Sequence, residues 1–340
     1  MKKLLLLTVS ILLLFTACSP APLPEREDLD YEKLKDGVYV DYDRSKFENV
    51  AAPKRYYAEY ITINDDDMLP FFSAPPVIYT EMEYEINPDR IFENSGEYGY
   101  YDMHGSMHFD REYYSDLSTV FSYYWANRIE PSVKELDFMT LSEVRERFAD
   151  DMHRFIPDFR IYDLYAITAE DFAYVTTVCD PPFPDRGWSE PKDFYYIRAR
   201  QYVDDIPLFA GVSTIINETL WYYGSQIRAC YSKDGVEIFQ GGDFYSIVEE
   251  APVNGTFIDL AGAEQIIRDE YELIYPYDDM ILFECDLVYV AVSEGGRIVL
   301  TPVWEFYEDL FAIFGPHINE YFTNPSIRVN AYTGELMRCN

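Results

Sequence analysis

Two stretches of this chain carry the same apolar rhythm, and that repeat constrains the fold more than any other feature. Leu141, Val144, Phe148, Met152 and Phe155 are spaced 3, 4, 4 and 3 residues apart, which places them on one face of a helix with 3.6 residues per turn. Thr140 and Glu143 form a capping box at its start, and Pro157 stops it. Leu260, Ala263, Ile267, Tyr271 and Ile274 repeat the spacing, with Asp259 as cap and Pro276 as stop. Each position lies 119 residues after its counterpart (141 to 260, 148 to 267, 157 to 276). Shared cap, face and stop point to an internal duplication rather than to two unrelated amphipathic helices.

Much of the remaining sequence reads as strand. The chain holds 32 Tyr and 23 Phe, residue types that suit half-buried strands. Residues 193–203 alternate apolar and polar side chains. Residues 226–231 and 236–240 flank Ser-Lys-Asp-Gly, and residues 287–292 and 297–306 flank Ser-Glu-Gly-Gly; both are hairpin signals. Strand-like segments also follow each helix, at 161–167 and 281–292. The expected fold class is therefore α+β. Two related modules, 51–185 and 186–340, should each be an antiparallel β-sheet covered by one main α-helix.

The first residues describe an address. Lys2 and Lys3 precede an apolar run from Leu4 to Phe15, too short to span a bilayer, and the run ends at Phe15-Thr16-Ala17-Cys18. This resembles a lipobox, in which a small residue precedes the cysteine that becomes the lipidated N-terminus; Phe15 stands where Leu is usual. Residues 1–17 are then a lipoprotein signal peptide and Cys18 the lipidation site. Residues 18–50, which begin Cys-Ser-Pro-Ala-Pro-Leu-Pro-Glu-Arg-Glu-Asp, read as an acidic, Pro-rich tether. The expected location is the extracytoplasmic face of the cell membrane, with the lipid anchor as the membrane contact.

Acids outnumber bases by 61 to 27, for a net charge of −34. Such a chain repels nucleic acid and stands off from anionic headgroups. Beyond Cys18 there are four cysteines. Cys179, Cys230, Cys285 and Cys339 allow two disulfides in three pairings, or buried free thiols.

The chemistry-bearing motifs are sparse. Asp102-Met103-His104-Gly105-Ser106-Met107-His108-Phe109-Asp110 could offer two imidazoles and two carboxylates to a metal. Gly105 disfavours the helix that makes His-x-x-x-His a clamp, and the Glu of His-Glu-x-x-His is absent. A polar loop or hairpin is expected, with His104 and His108 as weak metal candidates only. Asn64-Asp65-Asp66-Asp67 lacks the spacing and glycine of a calcium loop and reads as a solvated loop. No nucleophile elbow, P-loop or dinucleotide fingerprint occurs in the sequence.

The C-terminal region resembles a known pattern. Leu300-Thr301-Pro302-Val303-Trp304-Glu305-Phe306 is followed, after an insertion, by Ile327-Arg328-Val329-Asn330-Ala331-Tyr332-Thr333-Gly334-Glu335-Leu336. This is similar to PepSY-like and YycH/YycI-like extracytoplasmic domains, where one strand carries Pro-x-Trp and a later one ends in Asn/Asp-Ala-x-Thr/Asp-Gly-Glu. The whole chain resembles a group of Gram-positive lipoproteins with the same ending. The resemblance implies modules of PepSY or cystatin type, and structural roles for Pro302, Trp304, Asn330 and Gly334. The Gly would permit a turn, and the Trp would pack helix on sheet. It implies no catalytic residue and no cofactor. YycH and YycI modulate a sensor kinase from a transmembrane helix, whereas this chain has the features of a lipid anchor.

The expectation is a non-enzymatic, membrane-anchored lipoprotein that binds or regulates an envelope protein, peptide or glycan. A cell-envelope hydrolase and a structural or solute-binding lipoprotein are the alternatives.

Overall fold

The computed structural model describes residues 32–35, 38–40, 42–79, 90–111, 114–126, 129–178, 189–209, 212–214, 221–223, 225–274, 280–308 and 326–337. The signal segment, Cys18, Cys179, Pro276, His317 and Cys339 lie outside them. The chain begins with β1 (Glu32–Lys35), β2 (Val38–Val40) and β3 (Arg55–Tyr60). A single-turn helix, α1 (Asp65–Met68), precedes β4 (Val77–Tyr79), β5 (Arg90–Asn94), β6 (Glu97–Tyr101) and β7 (Met107–Arg111). Then come α2 (Tyr114–Ala126), α3 (Leu141–Met152), β8 (Phe159–Ile167), α4 (Ala169–Val178), β9 (Phe194–Val203) and β10 (Ile206–Pro207). The paired β11 (Val212–Thr214) and β12 (Trp221–Tyr223) are followed by β13 (Gln226–Ser232), β14 (Gly235–Gly241) and β15 (Tyr245–Ala251). Helix α5 (Leu260–Ile274), β16 (Met280–Glu294), β17 (Arg297–Glu308), β18 (Ser326–Asn330) and β19 (Leu336–Met337) complete the course.

The protein is α+β, with two large sheets. The larger has nine strands in the order β10-β9-β13-β14-β7-β6-β5-β4, with β8 also paired to β9. The smaller has eight, six of them in the order β1-β2-β16-β17-β18-β19, with β3 beside β17 and β15 beside β3. The β2–β16 contact is parallel, and the other strand pairings are antiparallel. The sheets do not follow a division at residues 185 and 186. The smaller takes its strands from residues 32–60 and 245–337, and the larger from 77–241, so one lies within the sequence of the other. The stretch read as tether is folded in part: β1, β2, Tyr42, Phe47 and Val50 pack in the core under α5.

Both repeated helices form. Thr140 and Glu143 cap α3 reciprocally, and Asp259 accepts the Gly262 N–H at the head of α5. Val144, Phe148 and Met152 bury the apolar face of α3 against Tyr195, Ile197, Ala199, Ile227 and Phe239 of the larger sheet. Leu260, Ala263 and Ile267 of α5 do the same against Cys285, Leu287, Trp304, Phe306 and Val329 of the smaller. Each helix precedes four strands that lie side by side, β8-β9-β13-β14 in one case, with α4 and β10–β12 interposed along the chain, and the consecutive β16-β17-β18-β19 in the other.

The larger sheet carries helices on both faces, where one covering helix was expected. Alternation along β9 sends Tyr195, Ile197 and Ala199 toward α3. Phe194 and Tyr196 point the other way, into a core with Leu117, Val120 and Phe121 of α2 and Phe172 and Val175 of α4. The two sheets meet beside β9 and β16. Leu208 bridges to Tyr289, and the Phe209 N–H donates to Tyr289 O at 2.8 Å. Arg200 lies 3.6 Å from Asp286. The Gln201 amide bonds both the N–H and the C=O of Tyr245, replacing a strand pairing with a side chain. Among the described residues no helix is long and apolar enough to cross a membrane.

Candidate functional site

A strand at a sheet edge must place the backbone groups on its outer side somewhere. Strand β8 pairs with β9 alone, and its orientation follows from the register. The Tyr202 N–H donates to Asp158 O where the two strands begin to pair, so the even-numbered residues of β9 turn their backbone toward β8. Their partners Arg160, Asp163 and Tyr165 face back. Ile161, Leu164 and Ala166 therefore turn their N–H and C=O outward, with Tyr162 as the bulged residue between Ile161 and Asp163.

The connection from α2 to α3 must cross this edge, because the two helices lie on opposite faces of the sheet. It is clipped down at two points. The Tyr195 hydroxyl accepts from Leu136 N and donates to Met139 O, and Ser132 donates to Asp171. Between those clips the connection stands off the strand. A cleft of about 330 Å³ opens between residues 130–134, Arg145 of α3 and residues 161–166 of β8. This is the low end of the range for ligand-sized clefts. Among the described residues no backbone hydrogen bond joins the connection to the outer edge of β8.

The walls carry charge and aromatic surface. Arg198 donates to Asp163 through Nε at 2.7 Å, and its guanidinium lies 4.9 Å from the Tyr162 ring centroid. The Arg200 guanidinium also lies 4.9 Å from the Tyr162 ring centroid. The Tyr162 hydroxyl accepts from Gln226 Nε2 at 2.7 Å. Burial, reinforced by the Asp163 carboxylate, raises the pKa of the Tyr165 phenol. At the rim Lys134 pairs with Glu130. Arg145, exposed on α3, makes no ion pair or hydrogen bond within the described structure.

The residues singled out from the sequence lie elsewhere. His104 sits in the β6–β7 turn with its ring 5.2 Å from Tyr60. His108 lies in β7, stacked on Tyr100 and bonded through Nε2 to Asp110. The two imidazoles occupy separate surroundings, and among the described residues no three metal-ligating side chains converge. Asp65, Asp66 and Asp67 form the first turn of α1 rather than a loop, with Asp65 held by Tyr101 and Arg90. Cys230 and Cys285 are free thiols in different cores, their pKa values raised by burial.

Trp304 is fully buried. Its Nε1 donates to Ile258 O at 2.8 Å, just before α5, and its ring meets Phe47 edge-on. Pro302 O accepts from Ala331 N. Asn330 Oδ1 accepts from the N–H groups of Tyr332 and Thr333. Gly334 turns the chain at φ 71°, where a Cβ would stand 3.0 Å from Ile266. Sequence reading found β8 as a strand but not the cleft; whether a strand lies at an edge depends on pairings remote in the chain. No local signal in the sequence marks it: Arg145 is one of two arginines on α3, and only the fold shows that it has no partner among the described residues.

Three buried acids outside the cleft are satisfied in ways that fit structural roles. Asp171 accepts from Thr168, Ser132 and Tyr124. Glu237 accepts from Lys192 and Ser232. Glu305 takes Arg328 Nε at 2.8 Å.

In comparisons with known proteins, the fold is similar to that of an uncharacterized protein from Eubacterium rectale ATCC 33656, solved as a crystal structure. The TM-score is 0.59 and the sequence identity 16%, over 90% of this chain and 92% of that one. At that identity the likeness concerns the fold. No protein-family model and no curated protein matches the sequence.

Proposed function

We propose that this protein is a lipid-anchored extracytoplasmic binding protein, attached through Cys18, that takes up an extended, acid-bearing polypeptide segment as an added strand on β8. The observation that carries this reading is the outer edge of β8, facing a cleft instead of a partner strand. An added strand would meet the outward groups of Ile161, Leu164 and Ala166 with main-chain hydrogen bonds, and Arg145 would take a carboxylate. The two helix-and-meander units are read as duplicated PepSY-type modules, supported by the matching caps and strand succession. A non-enzymatic role is the reading adopted, because Asp163, the half-buried carboxylate that lines the cleft, is committed to Arg198.

The test begins with crosslinking on whole cells from a photoreactive residue at Val133, and with mapping of the peptide joined to it. The mapped segment, made synthetically, should bind the mature full-length protein. Binding should fall at least tenfold when alternate amides of the peptide are N-methylated, and similarly in Arg145→Glu. Leu164→Pro should abolish binding while leaving the β8–β9 ladder, since that N–H points outward. Should Leu164→Pro misfold, the N-methylated peptides decide alone. Equal binding by methylated and unmethylated peptides overturns the added-strand reading.

A further inference from the structure

One face of the smaller sheet carries its charges in a row. Cys285, Leu287, Trp304, Phe306 and Val329 turn toward α5, so alternation sends Asp286, Glu305 and Arg328 to the opposite face. The strand registers set these three side by side, Asp286 across from Glu305 and Glu305 across from Arg328. Arg200 reaches the end of the row from β9 of the other sheet, and its guanidinium stops 3.6 Å from the Asp286 carboxylate.

The links of this row are unequal. Glu305 accepts from Arg328 Nε at 2.8 Å and from the Tyr307 hydroxyl at 2.5 Å. Arg328 lies over the Phe209 ring, 3.6 Å from its centroid. Arg198, two residues before Arg200, bonds Asp163. Arg200 and Asp286 differ from all of these. Neither side chain makes a hydrogen bond within the described structure, and their own approach is too long for one. Arg200 Nε is shielded from solvent without an acceptor. The pair is nonetheless reachable, since the Asp286 side chain is 34% exposed and that of Arg200 18%. Burial pushes the Asp286 carboxyl up to about 6 against the pull of Arg200, in keeping with a cation that stands off instead of bonding.

Arginine and carboxylate ordinarily meet as a fork, at about 2.7–2.9 Å. Held apart, they turn the donors of one and the acceptors of the other toward the same opening. A polar gap wider than about 3.5 Å is closed by a group that bonds both sides. A lone anion there is drawn to Arg200 and repelled by Asp286, and a lone cation the reverse. A ligand with both charges close together meets neither penalty. The α-ammonium and α-carboxylate of an amino acid share one carbon, and bonds of about 1.5 Å set their nitrogen and oxygen roughly 3 Å apart. That spacing matches the 3.6 Å across the pair.

We infer that Arg200 and Asp286 form a recognition site for a free α-amino acid at the seam of the two sheets. Arg200 takes the carboxylate and Asp286 the ammonium. The Tyr162 ring, which lies against Arg200 and also lines the β8 cleft, stands between this site and that one. The two are independent: the added strand uses the backbone of β8, and the amino acid uses side chains of β9 and β16.

The experiment takes the full mature protein, dialysed exhaustively, and titrates it with each of the common L-amino acids by calorimetry and thermal melting at neutral pH. At least one should bind with a Kd below about 1 mM. Its N-acetyl form and its carboxamide, each lacking one of the two charges, should bind weaker by about tenfold or more. Arg200→Gln and Asp286→Asn should each weaken the unmodified amino acid to the same degree, with the melting temperature of the unliganded variant showing that it is folded. Should either variant misfold, the blocked ligands on the unaltered protein decide. Absence of binding by every amino acid at millimolar concentration would show a water-bridged ion pair only and overturns the site. So does equal binding by the blocked forms, or binding that both folded variants retain.

Discussion

At the scale of single residues, the turn between β9 and β10 shows how the chain spends conformational strain. Asp204 and Asp205 occupy the two central positions of a two-residue hairpin loop, at φ 48° and 66°. Asn-Gly is the usual choice there, because a Cβ crowds the following carbonyl when φ is positive. Asp204 is retained by a contact, since its carboxylate accepts the Tyr56 hydroxyl. Asp205 holds only Arg160 and is itself largely exposed, so that ion pair contributes little. Replacing Asp205 by Gly should relieve more strain than it costs in contacts and unfolded-state entropy. The expected gain is about 0.5 kcal/mol, measured as a higher denaturation midpoint at unchanged slope. Loss of stability on that change would show that the Arg160 pair matters more than its exposure suggests. The residue scale is also where sequence reading says least. Arg145 is an unremarkable letter among 27 bases, and only its lack of a partner among the described residues sets it apart.

At the scale of elements, local chemistry was legible where it was periodic. Helices α3 and α5 announce themselves by spacing, cap and stop, and the hairpins β13–β14 and β16–β17 by their Gly-containing turns. Thr140 Oγ1 accepts from Glu143 N at 3.2 Å while the Glu143 carboxylate takes Thr140 N at 2.7 Å, and these bonds hold the Glu143 carboxyl below its usual range. Thr140→Ala should therefore cost about 1 kcal/mol, read as a shift in denaturation midpoint, and an unchanged midpoint would mean that packing alone sets the helix start. Helices α2 and α4 were not legible. Their sequences, Tyr-Ser-Asp-Leu-Ser-Thr-Val-Phe-Ser-Tyr-Tyr-Trp-Ala and Ala-Glu-Asp-Phe-Ala-Tyr-Val-Thr-Thr-Val, are rich in aromatic and β-branched residues that favour strands in isolation. What makes them helical is burial against Phe194, Tyr196, Cys230 and Ile238, a tertiary preference with little local trace. The Thr168–Asp171 capping pair was the available hint for α4.

At the scale of the whole molecule, the repeat predicted two successive modules, whereas the sheets are nested. The reason is physical. Strand β3 finds its partners in β15 and β17, pairings whose sequence separation no local pattern encodes. The fold class followed from local signals and the order of strands did not. Nesting makes a sharp prediction about cutting the chain. Division after residue 185 separates β8 from β9, which share eight aligned residue pairs, and leaves β3 without either neighbour. Residues 19–185 expressed alone should show no cooperative melt. The two halves co-expressed should recover one only by reassociating. A cooperative melt from the first half by itself would mean that the larger sheet tolerates the loss of β9, β13 and β14.

Nesting also sets a timetable. Strand β2 lies parallel to β16, and β3 needs β15 and β17, so the first strands to emerge from any N-to-C synthesis or threading are among the last to be paired. The larger sheet can close as soon as residue 241 is available. The smaller one must wait for residues beyond 280, with the apolar side chains of Val38, Val40 and Tyr56 uncovered meanwhile. The end of the chain that carries the lipobox-like cysteine is thus fastened down last, by the strands that arrive last, and a chain truncated between residue 241 and β17 would carry a finished inner sheet on a loose leash.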